Sequence, residues 1–216
     1  VLLKRTFDTE EKISISGGQI KEDGAEFIIN PYDEYAVEEA IQIRDVHGGE
    51  VTVVSVGSDG VENQLRTALA MGCDKAVLIN TEDDLEEGDQ FTTAKILVEY
   101  LKDKKVDLIL AGNVAIDGGS GQVGPRVADG LGIQYVTTIT NIDIDGESVS
   151  VKRDVEGDSE VIKTSLPLLV TCQQGLNEPR YPSLPGIMKA KKKPLEVLEL
   201  DDLDLEENNV ESKTKT

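Results

Sequence analysis

The sequence predicts an α/β protein built on a doubly wound, mostly parallel sheet with antiparallel additions and an irregular C-terminal arm. Three observations lead there. Runs such as "EVTVVSVG" (50–57) and "VDLILAG" (106–112) are apolar throughout, as strands covered on both faces are. Segments with apolar residues at helical spacing alternate with those runs, which implies a parallel sheet with crossover helices. Right-handed crossovers then place helices on both faces of the sheet.

The elements follow in order. "VLLKR" (1–5) reads as a strand ending at a polar turn, and "KISISGGQIKEDGAEFIIN" (12–30) alternates around Gly17-Gly18 as a hairpin does. A helix starts at Asn30, a good N-cap, with Pro31 at its first position, Asp33 and Glu34 at its positive end, and Gly48 as its stop. Ala36, Val37, Ala40, Ile41 and the stem of Arg44 share one face of it. Strand 50–57, helix 59–72, strand 75–80, helix 88–105 and strand 106–112 come next. A short helix over 122–132 tolerates Pro125 only in its first turn. From 134 to 172 no helix is expected: alternation broken at Asp145-Gly146 and Gly157-Asp158 reads as antiparallel strands added to the same sheet. Beyond 172 there are four prolines and no regular period, and the acidic end reads as an arm. The division expected is a nucleotide-binding domain over 1–185, including a loop over 172–193, and an arm over 194–216.

Composition excludes several functions. The 216 residues suffice for one sizeable core. Lys plus Arg total 22 against 42 Asp plus Glu, a net charge of −20, so nucleic acid and anionic membrane surfaces are repelled over most of the molecule. No apolar run of about 18 residues and no basic-then-apolar leader is present, so neither a membrane-embedded chain nor a signal peptide is expected. The chain opens without methionine, as one lacking its first few residues would. Cys73 and Cys172 sit in or beside apolar runs as inert buried thiols, which suggests a cytoplasmic protein. His47, the only histidine, falls at a helix end, so neither a Cys/His zinc site nor a Ser-His-Asp triad has its residues. No metal site and no catalytic residues are expected.

The loop "AGNVAIDGGSGQVGP" contains Gly119-Ser120-Gly121-Gln122-Val123-Gly124, literally G-x-G-x-x-G. A dinucleotide fingerprint has its first glycine directly after the first strand. Here seven residues, 112–118, intervene, and the strand before them is the fourth of the parallel type. The usual NAD reading therefore fails, and with no Lys-Ser/Thr following, so does the Walker reading. Clustered glycines at a strand's carboxyl end, ahead of a helix, still favour a bound phosphate. A purely structural glycine turn is the other reading. "MKAKKKP" (188–194) is the one dense basic cluster. It is either a solvated charge run or, beside the proline-flanked Leu184, a recognition element for an acidic partner.

The segments "RTALAMGCDKAVLI", "AGNVAIDGGSGQVGP" and "LNEPRYPSLPGIMKAKKK", in this order, resemble the beta subunits of bacterial electron transfer flavoproteins. "VKRDVEGDSEVIKTSLPLLVT" fits that family's signature segment, and the resemblance runs from residue 1 to about 200. It implies a Rossmann-like fold of the adenine-nucleotide alpha-hydrolase type. It also implies a heterodimer with an alpha subunit that carries the redox FAD, moving electrons from acyl-CoA and related dehydrogenases to a quinone oxidoreductase. In most members the beta subunit binds AMP without chemistry; in electron-bifurcating members a second FAD takes that place and reacts with NADH. The ordinary type is the closer likeness here. A third class, an ATP-binding stress or sulfotransfer domain of the same fold, lacks its Ser-Gly-Gly-x-Asp-Ser loop.

Carried over residue by residue, the resemblance puts the nucleotide at Leu2, at Asn30, Pro31, Tyr32 and Asp33, and at Val56. It adds Gly112, Asn113, Val114, Ala115, Ile116 and Asp117, then Gly118, Gly119, Ser120, Gly121, Gln122 and Val123. Backbone N–H groups of 119–123 would hold the phosphate, with Asn30 and the strand ends around adenine and ribose. Asp117 would fix the loop by accepting N–H bonds, and Tyr32 would approach the flavin of the alpha subunit. Val123 stands where some members have threonine, which removes a hydroxyl from the phosphate site. The recognition loop would use Leu184 as an anchor with Pro185, Ile187 and Met188, flanked by Lys189 and Lys192. The arm toward the alpha subunit is expected to be short, because the sequence stops at "KTKT", either by truncation or as a natural end.

Overall fold

The computed structural model describes residues 1–17, 19–22, 24–81, 88–203, 205 and 210–214. Its elements in chain order are β1 (Arg5–Phe7), β2 (Ile15–Ser16), β3 (Gln19–Ile20), β4 (Phe27–Ile29), α1 (Pro31–His47), β5 (Thr52–Gly57) and α2 (Glu62–Met71). They continue as β6 (Lys75–Asn80), α3 (Gln90–Leu101), β7 (Leu108–Gly112), α4 (Val123–Leu131), β8 (Gln134–Asp145), β9 (Ser148–Val155) and β10 (Asp158–Ser165). The last are β11 (Leu168–Cys172), α5 (Leu184–Ala190) and β12 (Leu195–Leu198).

Two ladders make the sheet, β12-β6-β5 and β10-β9-β8-β11-β7. The first residues of the chain join them. Leu2 bridges Val54 in parallel, the Leu3 N–H donates to Val54 O and the Leu2 N–H to Leu110 O, both at 2.9 Å. The strand expected over 1–5 is thus central, but it is a bridge rather than a ladder. Lys4 leaves the core, and β1 turns aside to pair antiparallel with β4.

Alternate strand residues face opposite layers. Val53, Leu78, Leu168 and Val170 pack with Val37 and Ile41 of α1 and with Leu65 and Leu69 of α2. Val54, Val77, Ile79 and Leu169 pack with Ile96 and Leu97 of α3 and with Val127 and Ala128 of α4. Burial on both faces is why these strands carry no polar alternation, and it makes the sheet doubly wound as expected. Gly48 ends α1 at φ +79°, its N–H donating to Arg44 O at 2.8 Å. Both cysteines are buried and free, and burial pushes the Cys73 thiol up to about 11 and the Cys172 thiol up as well.

The antiparallel additions differ from expectation at one strand. β8 and β9, and β9 and β10, pair antiparallel, with turns where Asp145-Gly146 and Gly157-Asp158 mark them. The last strand, β11, instead returns to the centre and lies parallel to both β7 and β8. β8 serves two ladders because it bends at Thr138, whose φ is +58° and whose N–H donates to Thr171 Oγ1 at 2.9 Å. After 172 the chain is more regular than its prolines suggested. α5 packs on α2, and β12 extends the sheet by pairing parallel with β6, Leu195 opposite Ala76. The expected hairpin forms with Ile15 opposite Ile20, its Gly18 lying outside the described residues. Parts of the expected arm, 204, 206–209, 215 and 216, also lie outside them. Among the described residues no helix is long and apolar enough to cross a membrane.

Candidate functional site

A cavity of about 690 Å³ opens at the carboxyl ends of the central strands. This is where a doubly wound sheet leaves room for a ligand. Its wall brings together Leu2, Asn30, Asp33, Val56, Gly112, Asn113, Val114, Ala115 and Asp117, and the glycine loop 118–123. Of the residues expected at the nucleotide, Pro31, Tyr32 and Ile116 do not line it.

Two residues of α1's start hold the wall. Asn30 occupies the N-cap position, yet its side chain makes no cap bond. Its amide reaches across instead, Nδ2 donating to Val114 O at 3.0 Å and Oδ1 accepting from the Ile116 N–H at 3.2 Å. Those two bonds fix the backbone before the loop. Asp33 is buried and accepts from the Lys4 N–H at 2.7 Å and the Gly112 N–H at 2.9 Å. Burial raises its carboxyl to about 7, against those hydrogen bonds, the Asn30 side chain and the Lys4 charge, which pull the other way. The chain end, the central strand and the loop thus meet on one helix end. A Cβ at Gly112 would overlap Asp33 Oδ1 and lie 2.8 Å from Tyr32 Cβ, so only glycine fits this junction.

The loop itself has a defined set of donors. Asp117 accepts the Gly118 N–H at 2.5 Å and pairs with Lys4 Nζ at 2.7 Å. The Gly119 N–H is spent on Ala115 O at 2.9 Å, which removes it from the donors expected over 119–123. The N–H groups of Ser120, Gly121, Gln122 and Val123 have no acceptor among the described residues. Gly119 at φ +63° and Gly121 at φ +59° take left-handed turns that aim this row, and α4 follows with its unpaired first turn. Gly124 lets α4 approach β11: a Cβ there would lie 2.9 Å from Thr171 Cγ2. The donor set suits one phosphate group on backbone N–H groups, with Lys4 as the nearby cation.

Sequence reasoning missed the opposite wall, formed by Thr81, Gly88, Asp89, Gln90, Thr92, Thr93, Ser212 and Thr214, and also Lys4, Ser55 and Gly57. Asp89 caps α3, one carboxylate oxygen accepting from the Phe91 and Thr92 N–H groups at 3.0 and 2.9 Å. Its other oxygen accepts the Lys213 and Thr214 N–H groups, both at 2.8 Å. Burial opposes its ionisation, but these bonds outweigh that and hold it well below the usual carboxylate range. An Asp three residues before Thr at a helix start was the available signal; the tail it holds lies 124 residues away.

The proline-rich segment ends in α5, capped by Ser183 Oγ, which accepts the Gly186 N–H at 3.1 Å. Leu184 stands 80 % exposed at its first position and Met188 72 % exposed one turn later, with Pro185, Ile187, Lys189 and Lys192 also exposed. Lys193 is different. Its ammonium donates to Leu69 O at 3.0 Å and Cys73 O at 2.6 Å, so it caps the end of α2 rather than joining the free basic face. Among the described residues no cluster of His, Cys, Asp or Glu could hold a metal.

Comparison with known proteins agrees with this architecture. The electron transfer flavoprotein domain matches residues 17–203. The chain is 68 % identical, over all of its length and 84 % of the relative's, to electron transfer flavoprotein subunit beta of Bacillus subtilis. It is 45 % identical to the subunit of that name from Syntrophomonas wolfei, over 90 % of this chain and 77 % of the other. It is 39 % identical to the caffeyl-CoA reductase-Etf complex subunit CarD of Acetobacterium woodii, over 95 % of this chain and 79 % of the other. A full-length likeness on a doubly wound sheet with a glycine-loop cavity leaves one assignment: the chain belongs to the electron transfer flavoprotein family, among its beta subunits.

Proposed function

We propose that this electron-transfer subunit holds AMP in the 690 Å³ cavity as a structural ligand, carries no catalytic residues of its own, and docks dehydrogenases through α5. The observation that carries the reading is the row of four unengaged N–H groups, 120–123, fixed by Asn30, Asp33 and Asp117 at the start of α4. Such a row stabilises a phosphate dianion without needing a side-chain cation, which suits a chain of net charge −20. Leu2, Val56 and the backbone of 113–115 would enclose the adenosine. The redox FAD would belong to an alpha subunit, with Tyr32, outside the cavity wall, facing that partner. Electrons would pass from acyl-CoA and related dehydrogenases to a quinone oxidoreductase, in the bacterial cytoplasm.

A second reading, a bifurcating subunit with its own FAD oxidising NADH, is favoured by one feature. The cavity continues past the loop to Thr81, Thr93 and Thr214, which leaves room beyond a mononucleotide. Acid release of the nucleotide from the purified subunit, read by mass and absorbance, separates the two. AMP in near-stoichiometric amount is the expected result. A visible flavin on the isolated subunit overturns the first reading.

A further inference from the structure

We infer that Glu38, Asn177 and Arg180 are positioning residues for docking: they fasten the irregular turn 177–180 to α1 and so set where α5 presents Leu184. The inference rests on the docking reading above. Residues 173–183 contain no helix or strand. An irregular segment offers one apolar side chain reproducibly only if its ends are fixed, because every loose rotor adds ordering entropy at the moment of binding.

Both ends are fixed here. Arg180 Nε donates to Glu38 Oε2 at 2.7 Å and its terminal nitrogen to Oε1 at 2.9 Å, a bidentate pair, while its backbone N–H reaches Oε2 at 3.2 Å. Asn177 Nδ2 donates to Tyr35 O at 3.0 Å and to Glu39 Oε2 at 2.8 Å. At the far end, Arg66 donates to Ala190 O at 3.1 Å and Lys193 O at 3.0 Å. Between them the Gly186 backbone lies against Ala70 O, with no space for a side chain.

Glu38 and Glu39 are otherwise hard to explain. Both are buried on a helix whose neighbouring buried positions are Ala36, Val37, Ala40 and Ile41, where an apolar residue would serve packing as well. Glu38 is buried while the Arg180 side chain is 39 % exposed, so the pair adds little net stability, and fixing one arrangement of the turn over others accounts for it better than stabilisation does. α1 already holds the cavity through Asn30 and Asp33. The same helix therefore indexes α5 to the nucleotide site.

The test uses the complete heterodimer with its alpha subunit as electron acceptor for a purified acyl-CoA dehydrogenase, at varied carrier concentration. Arg180→Gln should raise KM about tenfold, leave kcat within about twofold, and leave nucleotide content unchanged. Amide exchange over 177–190 should accelerate by at least about tenfold, reporting the released turn. Arg180→Lys, which keeps the charge but not the fork, should fall between, and it serves if the glutamine variant does not fold. Leu184→Ala run in parallel separates the two claims. If Leu184→Ala raises KM while Arg180→Gln changes neither KM nor exchange, the clamp is overturned. If Leu184→Ala is silent, the docking reading falls, and exchange alone then decides: acceleration in Arg180→Gln sustains the clamp and its absence refutes it.

Discussion

At Gly112 the end of a central strand, the start of α1 and the glycine loop meet with no spare volume. Gly112→Ala would drive a methyl into Asp33 Oδ1, and the obstacle includes the Asp33 backbone N at 2.9 Å, which cannot rotate away. We expect a loss of about 2–4 kcal/mol in unfolding free energy, the range for overpacking combined with a broken buried hydrogen bond, together with loss of the nucleotide proposed for this cavity. Retention of nucleotide by a stable Gly112→Ala protein would contradict the geometry. Asp33 itself makes stability depend on pH. Its folded carboxyl titrates near 7 against an ordinary value of 3.8, so between those pH values the folded state keeps a proton that the unfolded state has released. Stability attributable to it falls as pH rises through that window and is level above it. Asp33→Asn cannot ionise, so its urea midpoint should decline less than wild type between pH 5 and pH 7. Parallel declines would show that Asp33 is not the group responsible. These roles were only partly legible beforehand. Asp33 and Asn30 read as helix-start residues, which they are by position; their side chains serve the loop because the peptide groups of 112, 114 and 116 pass within reach, a tertiary fact that no local pattern carries.

Elements that alternate apolar strand with amphipathic helix, β5 through α4, were legible because burial on both faces writes itself into composition. β11 was not, because it follows two antiparallel hairpins and differs from them only in where it returns. β12 escaped because four residues between a lysine run and an acidic stretch give too short a period to read. The distal cavity wall escaped for a related reason: Asp89 is a visible helix cap, but the tail it binds is remote in sequence. That wall has a testable consequence. Asp89→Ala removes the α3 cap and the attachment of 213–214 in one step. The expected cost is about 1–2 kcal/mol from the cap alone, with faster amide exchange over 210–214 and faster nucleotide release. Nucleotide release unchanged in a variant whose tail exchanges freely would mean that the tail is no part of the site. A second element-scale prediction concerns α5. In Gly186→Ala the new methyl would sit 2.5 Å from Ala70 O, a backbone atom, so α5 must lift from α2. Dehydrogenase turnover at low carrier concentration should drop severalfold with nucleotide content intact, a split that a general loss of fold would not produce.

The whole molecule carries a net charge of −20, and the exposed lysines at the end of α5 and just past it, Lys189, Lys191 and Lys192, are set against that field. Two consequences of salt then run in opposite directions. Excess carboxylates repel one another in the folded state, so raising ionic strength should raise Tm. At the proposed docking face, a partner drawn to the lysines would be attracted less as salt shortens the Debye length from about 30 Å at 0.01 M to about 10 Å at 0.1 M. KM for the carrier should therefore rise over the same salt range in which Tm rises. The split between apolar and charged contributions follows from the geometry. Leu184→Ala removes area and should raise KM without altering its salt dependence. Lys189→Gln combined with Lys192→Gln should flatten the salt dependence and leave the high-salt KM near that of wild type. Lys193→Gln belongs to neither class, because its ammonium is spent on the Leu69 and Cys73 carbonyls at the end of α2. It should lower Tm while keeping the wild-type salt dependence of KM. A salt profile flattened as much by Lys193→Gln as by the Lys189, Lys192 pair would show that the basic cluster acts as a diffuse charge rather than as an oriented face.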